Sequence, residues 1–218
     1  MHFDPACRAC PRLAAFLAEG RREYPGYHCA PVGPFGAARP RLLIVGLAPG
    51  FHGANATGRP FTGDYAGVLL YATLHAQGLA SAPASSSRDD GLVLLGCRIT
   101  NAVKCVPPAN KPTGEEIARC NAFLAAELAS LEQGTILLAL GAIAHGAVLR
   151  ARGLKPARFS FKHGAVHELE PGLTLVDSYH CSRYNTQTRR LTTAMFESVV
   201  ATAVRLAWPE GHPGAAGP

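Results

Sequence analysis

No stretch of this chain approaches the roughly 20 consecutive apolar residues needed to cross a bilayer, because Gly, Pro or His breaks every candidate run. No apolar signal stretch follows Met1, and the seven cysteines are an odd number, which argues against a secreted disulfide framework. The thiols are therefore expected to be reduced and the protein cytoplasmic, with no membrane partner. No Gly-Lys-Ser/Thr follows the glycine-rich segment after Val45, and no G-x-G-x-x-G occurs, so neither a Walker A loop nor a dinucleotide fingerprint is present. Internal repeats are also missing.

At 218 residues the chain is long enough to bury a full core as one domain, placed here at 1–208 and acting as a monomer. The Gly-, Pro- and Ala-rich stretch 209–218 is expected to be a disordered tail. A formal charge of +6 suits a polyanionic partner, although a solvated basic face gives the same balance. Location is more telling, since Arg183, Arg189 and Arg190 crowd one polar segment while Lys104 and Lys111 flank a central cysteine.

Four short apolar runs, Arg41 to Val45, Val93 to Val103, Thr135 to Leu140 and Leu173 to Asp177, read as buried strands. Helical patterns lie between and after them. One covers Gly67 to Gly78, and one covers Thr113 to Leu131 behind a Thr113/Glu116 capping box. A third follows Gly141, and a last one runs from about Thr188 to Ala207. This alternation predicts an α/β fold, a three-layer α/β/α sandwich with a central, mainly parallel four-stranded sheet. Ligands in such folds lie beyond the carboxyl ends of the strands. The serine-containing segment Ser81 to Asp90 reads as a flexible surface insertion without a function.

Several loops carry chemistry. Cys7 and Cys10 form C-x-x-C, and Cys105 and Cys120 form a distant second pair, so a four-thiolate metal site is expected to join the N-terminus to the middle of the chain. Spacing alone leaves a tetrahedral zinc and an iron–sulfur cluster both open. The glycine-rich loop from Gly46 permits close backbone approach to a ligand, with a helix starting near Asp64. His180 stands just past the last strand, where it serves either structure or catalysis.

The segments GLAPGFHGANATGRPFTGD, ITNAVKCVPP and HCSRYNTQTRRLT, in that order behind an N-terminal C-x-x-C, resemble the iron–sulfur branch of the uracil-DNA glycosylase superfamily. GLAPG and the following HGxNxTGRPFTGD are most similar to family 5, whereas family 4 has GEAPG. The resemblance runs from about Cys7 to Leu206. It implies an enzyme that flips uracil, and other deaminated bases such as hypoxanthine, out of DNA and hydrolyses the N-glycosidic bond to leave an abasic site.

The resemblance also implies roles. Phe61 would stack under the flipped base, Asn101 would read its edge, and His180 would donate to the departing base anion. Asp64 would position water, a helix N-cap being its other reading. Gly46, Ala48 and Phe51 would complete the base pocket, while Lys104, Ser182, Arg183, Tyr184 and Arg189 would contact DNA. Cys7, Cys10, Cys105 and Cys120 would hold a [4Fe–4S] cluster, with zinc as the alternative. Three departures stand out. Ala48 replaces the acid or amide of better-known members, Cys181 replaces the proline of HPS, and Tyr184 takes the place of a wedging leucine. The cysteine substitution predicts a less rigid loop. The missing polar group at Ala48 and the altered loop motivate a second reading, a non-catalytic, metal-stapled module that binds damaged DNA.

Overall fold

A computed structural model describes residues 3–212. In chain order the elements are α1 (Pro11–Glu23), β1 (Phe35–Gly36), β2 (Leu42–Gly46), α2 (Ala54–Thr57), α3 (Tyr65–Ala76), β3 (Cys97–Asn101) and α4 (Gly114–Ala129). They continue with β4 (Ile136–Leu140), α5 (Ala142–Ala151), β5 (Val166–Glu170), β6 (Leu173–Ser178), α6 (Arg183–Gln187) and α7 (Thr193–Ala207).

One six-stranded sheet runs in the order β1-β3-β2-β4-β6-β5. Its four central strands are parallel and correspond to the four expected runs, while β1 and β5 add antiparallel edges. The α/β sandwich stands, with six strands instead of four. The edges escaped sequence reading for plain reasons: β1 has only two residues, and β5 (Val-His-Glu-Leu-Glu) buries a single side chain, Leu169.

Alternating side chains build the layers. Leu42, Ile44, Ile99, Leu138 and Val176 pack under α3 and α7 on one face; Leu43, Val45, Leu137, Ala139 and Leu175 pack under α4 and α5 on the other. A third cluster, around Leu13, Val103, Cys120 and Phe123, fastens α1 to the end of β3 and to α4.

Three other expectations need correction. The last helix starts at Thr193 and not near Thr188, because Arg189 takes φ 56° after the separate short α6 and Thr192 then caps α7 through Met195 N–H at 3.2 Å. The stretch after Trp208 folds back as far as it is described: Glu210 meets Arg41 at 2.6 Å, and the His212 ring lies 4.5 Å from that of Trp208. Residues 213–218 lie outside the described residues. The segment Ser81 to Asp90 is a pinned turn, because Asp90 accepts from the N–H groups of Ser86, Ser87 and Leu92 and binds Arg59.

Helix α4 carries Cys120 and begins in the expected capping box, in which Thr113 Oγ1 accepts from Glu116 N–H at 3.2 Å and Glu116 Oε2 accepts from Thr113 N–H at 2.7 Å. The same Glu116 carboxylate receives the Arg12 guanidinium, tying α1 to α4. Thr113→Ala is expected to lower unfolding free energy by about 1 kcal/mol, read as a shift of the urea midpoint at unchanged slope.

Candidate active site

In the central order β3-β2-β4-β6, the chain passes from β2 to one neighbour and then crosses to the other, so the direction of winding reverses between β2 and β4. Loops leaving a sheet on either side of such a reversal splay apart and open a crevice. A cavity of about 390 Å³ lies there, with walls that include Leu47 and Ala48 after β2, Leu140 and Gly141 at the end of β4, and His180 and Ser182 after β6. Phe61, Asp64 and Tyr65 close another side.

Gly46 ends β2, and its bare α-carbon decides what can meet behind this cavity. A Cβ added there would lie 2.4 Å from Asn101 Oδ1 and 2.7 Å from the edge of the Phe61 ring. Asn101, at the end of β3, is 2% exposed, and its Oδ1 has no hydrogen-bond partner. Leaving a buried acceptor unpaired costs about 1–3 kcal/mol, so such a group marks a place for a donor from outside the protein. Asn101 is not among the residues lining the cavity; it meets the lining residue Phe61 across Gly46.

Phe61 takes φ 56°, an uncommon conformation for a bulky residue, and its ring lies near-parallel to that of His180, with centroids 5.9 Å apart and planes at 25°. Desolvation pushes the His180 imidazole down to about 4, so the ring is neutral near pH 7 and keeps one N–H to donate. Asn185 Nδ2 donates to the His180 carbonyl at 2.8 Å, and Ser182 caps α6 through Asn185 N–H. These bonds fix the loop that the missing proline was expected to loosen. Cys181, in the proline's place, is fully buried in the core between sheet and α7.

Asp64 caps α3, its Oδ1 accepting from Gly67 N–H at 2.8 Å. Oδ2 turns toward Gly50 and Gly53, where a Cβ on Gly53 would meet it at 2.8 Å. Burial raises the carboxyl's pKa, and the Gly67 and Ala66 amides oppose that shift. The residue that caps α3 thus also lines the cavity, and its two readings are compatible.

Two expected site residues lie elsewhere. Lys104 is 1% exposed, and its ammonium bonds Glu127 Oε1 at 2.6 Å and Thr100 Oγ1 at 2.5 Å, so it is sequestered from any phosphate. Phe51 turns away from the cavity into an aromatic cluster with Phe16, Tyr24, Tyr27 and His52. The basic rim is real: Arg183 and Arg189 are exposed and make no ion pair among the described residues, and Tyr184 stands 70% exposed beside them. Arg183 also lies over the Tyr65 ring at 5.0 Å.

Sequence reasoning passed over Tyr65, Asn110 and Gly141. Gly141 carried a usable signal, since it follows β4 as Gly46 follows β2. Tyr65 adjoins the capping Asp64. Asn110, left-handed at φ 55° in the loop between Cys105 and Cys120, carried none.

Cys7, Cys10, Cys105 and Cys120 line one small pocket between α1, the loop after β3 and α4. Burial first, and then the neighbouring Cys120, Cys7 and Cys10, push the Cys105 thiol up to about 12. Burial likewise raises Cys10 and Cys120. Thiols crowded this way resist ionisation unless a cation sits among them. Lys104 N–H already points at Cys120 Sγ, 3.2 Å away. The donor set is compatible with an iron–sulfur cluster. A separate buried group, His145, Asp177 and His167, is internally satisfied: Asp177 bonds both imidazoles, and His145 also reaches Phe159 O at 2.9 Å.

In a titration followed by side-chain NMR, the His180 imidazole is expected to show no protonation step between about pH 5 and 8, the range in which an unperturbed histidine changes charge.

A sequence profile of the Uracil DNA glycosylase superfamily matches residues 34–203. A type-5 uracil-DNA glycosylase of Thermus thermophilus is 49% identical over 207 residues, covering 93% of this chain and 94% of its own length. One from Pyrobaculum aerophilum is 41% identical, covering 90% and 87%. A type-4 uracil-DNA glycosylase of Thermotoga maritima is 39% identical over 105 residues only, 48% of this chain and 46% of its own.

Proposed function

This chain belongs to the uracil-DNA glycosylase superfamily, in its type-5 branch, and from that premise we propose how its residues divide the work of excision. It is a monofunctional DNA glycosylase that removes uracil from DNA in repair. The binding-only alternative gives way, since long matches at 41–49% identity are to proteins named as glycosylases.

The observation that carries the assignment of residues is the unpaired Asn101 Oδ1 beside the Phe61 ring. A uracil extruded from the duplex and laid on Phe61 offers N3–H to that oxygen, and the amide nitrogen of Asn101 donates to O4. The C1′–N1 bond then breaks with its electron pair passing to the base, where negative charge gathers at O2. Neutral His180 donates a hydrogen bond there, in a desolvated site where a fixed donor counts for most. The deoxyribose becomes oxocarbenium-like. Water held by Asp64 Oδ2 adds to C1′, its proton passes to the carboxylate, and the base anion takes a proton from solvent. Ala48 offers only a methyl group, so it polarises nothing and leaves room for larger deaminated bases such as hypoxanthine.

Arg183 and Arg189 would bind phosphates on either side of the flipped nucleotide, and exposed Tyr184 would stack into the gap it leaves. Cys7, Cys10, Cys105 and Cys120 would hold a [4Fe–4S] cluster whose contribution is to brace the chain between Asn101 and α4.

Incubating the protein with a duplex bearing one uracil, followed by alkaline cleavage, should yield a strand break at that site. Intact strands at enzyme excess would contradict catalysis. His180→Ala should lower the single-turnover rate about 100- to 1,000-fold while duplex affinity changes little, because the lost donor acts on charge that develops only in the transition state. Protein purified without oxygen should be brown and hold about four irons per chain. A colourless protein with one zinc would overturn the cluster assignment.

A further inference from the structure

We propose that Asp90 and Ser85 are positioning residues for the stacking ring of Phe61, reached through Arg59 and Thr62; this rests on the excision reading above. The starting point is the left-handed backbone of Phe61. A bulky residue stays in that region only when its surroundings over-determine it, and strain of this kind concentrates where a side chain must be aimed.

The restraint falls on the neighbours of Phe61. Tyr71, buried, donates its hydroxyl to Pro60 O at 2.8 Å. The Thr62 and Ser85 hydroxyls meet at 2.7 Å, and Gly63 N–H donates to Ser85 O at 3.3 Å. Arg59, only 6% exposed, donates to Asp90 Oδ1 at 2.6 Å, to Ser85 Oγ at 3.1 Å and to the Arg88 carbonyl. Its guanidinium also lies over the Phe35 ring at 4.4 Å, which gives the two-residue edge strand β1 a purpose.

Asp90 is the centre of this arrangement. Oδ2 accepts from Ser86 N–H at 2.9 Å, Ser87 N–H at 3.3 Å and the Ser85 hydroxyl at 3.2 Å, while Oδ1 accepts from Leu92 N–H at 3.0 Å as well as from Arg59. One carboxylate therefore shapes the turn and grips the residue two positions before Phe61. Burial pushes its pKa up, but Arg59 and the turn amides outweigh that and hold it far below the usual range. No residue of 81–90 lines the cavity, so the segment reaches a bound base through its bonds to Arg59, Thr62 and Gly63, which flank Phe61. A turn that merely closed the surface would not need a buried guanidinium from the stacking segment at its core.

Asp90→Ala tests the inference against the unaltered protein on three substrates or ligands: a uracil-containing duplex, free uracil as inhibitor, and a duplex with a stable abasic-site analogue, which presents no base to Phe61. The variant is expected to lose about 10- to 100-fold in single-turnover rate, as small misplacements near a reacting group do. Inhibition by free uracil should weaken, while affinity for the abasic-site duplex stays within about threefold. A folded variant with an unchanged rate, or one in which rate and abasic-site affinity fall together, would overturn the proposal. If Asp90→Ala does not fold by circular dichroism, Ser85→Ala decides by the same criteria. Inactivity of the unaltered protein on uracil would instead sink the excision reading.

Discussion

The site depends on a missing methyl group. At Gly46 the end of β2 passes between the Asn101 carboxamide and the Phe61 ring so closely that a Cβ would overlap both. The two groups through which a planar heterocycle can be recognised, an edge-reading amide and a face-stacking ring, come from segments 40 residues apart in the chain and meet only because this backbone is bare. Parallel pairing supplies the register, placing Gly46 opposite Asn101 at the carboxyl ends of adjacent strands. Winding that reverses between β2 and β4 then opens the space above them.

Each of these groups is braced from a different side. Asn101 is held from the cysteine side, where Lys104 is locked to Glu127 and Thr100 and its N–H reaches Cys120 Sγ. A buried lysine paired with a carboxylate adds little net stability, but it fixes geometry, since removing either partner strands a charge in the interior. Phe61 is held from the opposite side by the turn around Asp90. A rigid reading edge and a rigid stacking face thus rest on separate supports, so disturbance of one need not loosen the other.

Much of this was legible in the sequence. The four central strands announced themselves as apolar runs, and the capping box located the start of α4 to the residue. The ordered motifs brought Gly46, Phe61, Asp64 and His180 to the same neighbourhood. What stayed hidden depends on partners remote in sequence. Lys104 looks like a phosphate contact in a basic loop until Glu127, 23 residues on, claims its ammonium. Phe51 looks like part of the base pocket until Phe16 of α1 and Tyr24 just after that helix receive its ring. The serine-containing insertion has the composition of a flexible loop, and its fixed shape comes from Asp90, which binds the turn amides and the buried guanidinium of Arg59.

Electrostatics explains why a methyl group at Ala48 is tolerable in an enzyme of this kind. If bond breaking runs ahead of water attack, the demand on the protein is to stabilise an anion on the base and a cation on the sugar, and a strong base near the water adds little. His180 is neutral because it is desolvated, and the same desolvation would strengthen the hydrogen bond proposed from it to the base anion. Arg183 lines the cavity and lies over the Tyr65 ring, whereas exposed Arg189 is not among the lining residues, so part of the basic charge reaches the site itself. Asp64 is raised in pKa by burial yet anchored to the start of α3, and in the proposed mechanism it needs only to orient water and accept a proton late. The helix cap fixes its position, and the proposed chemistry would be a second use of the same carboxylate.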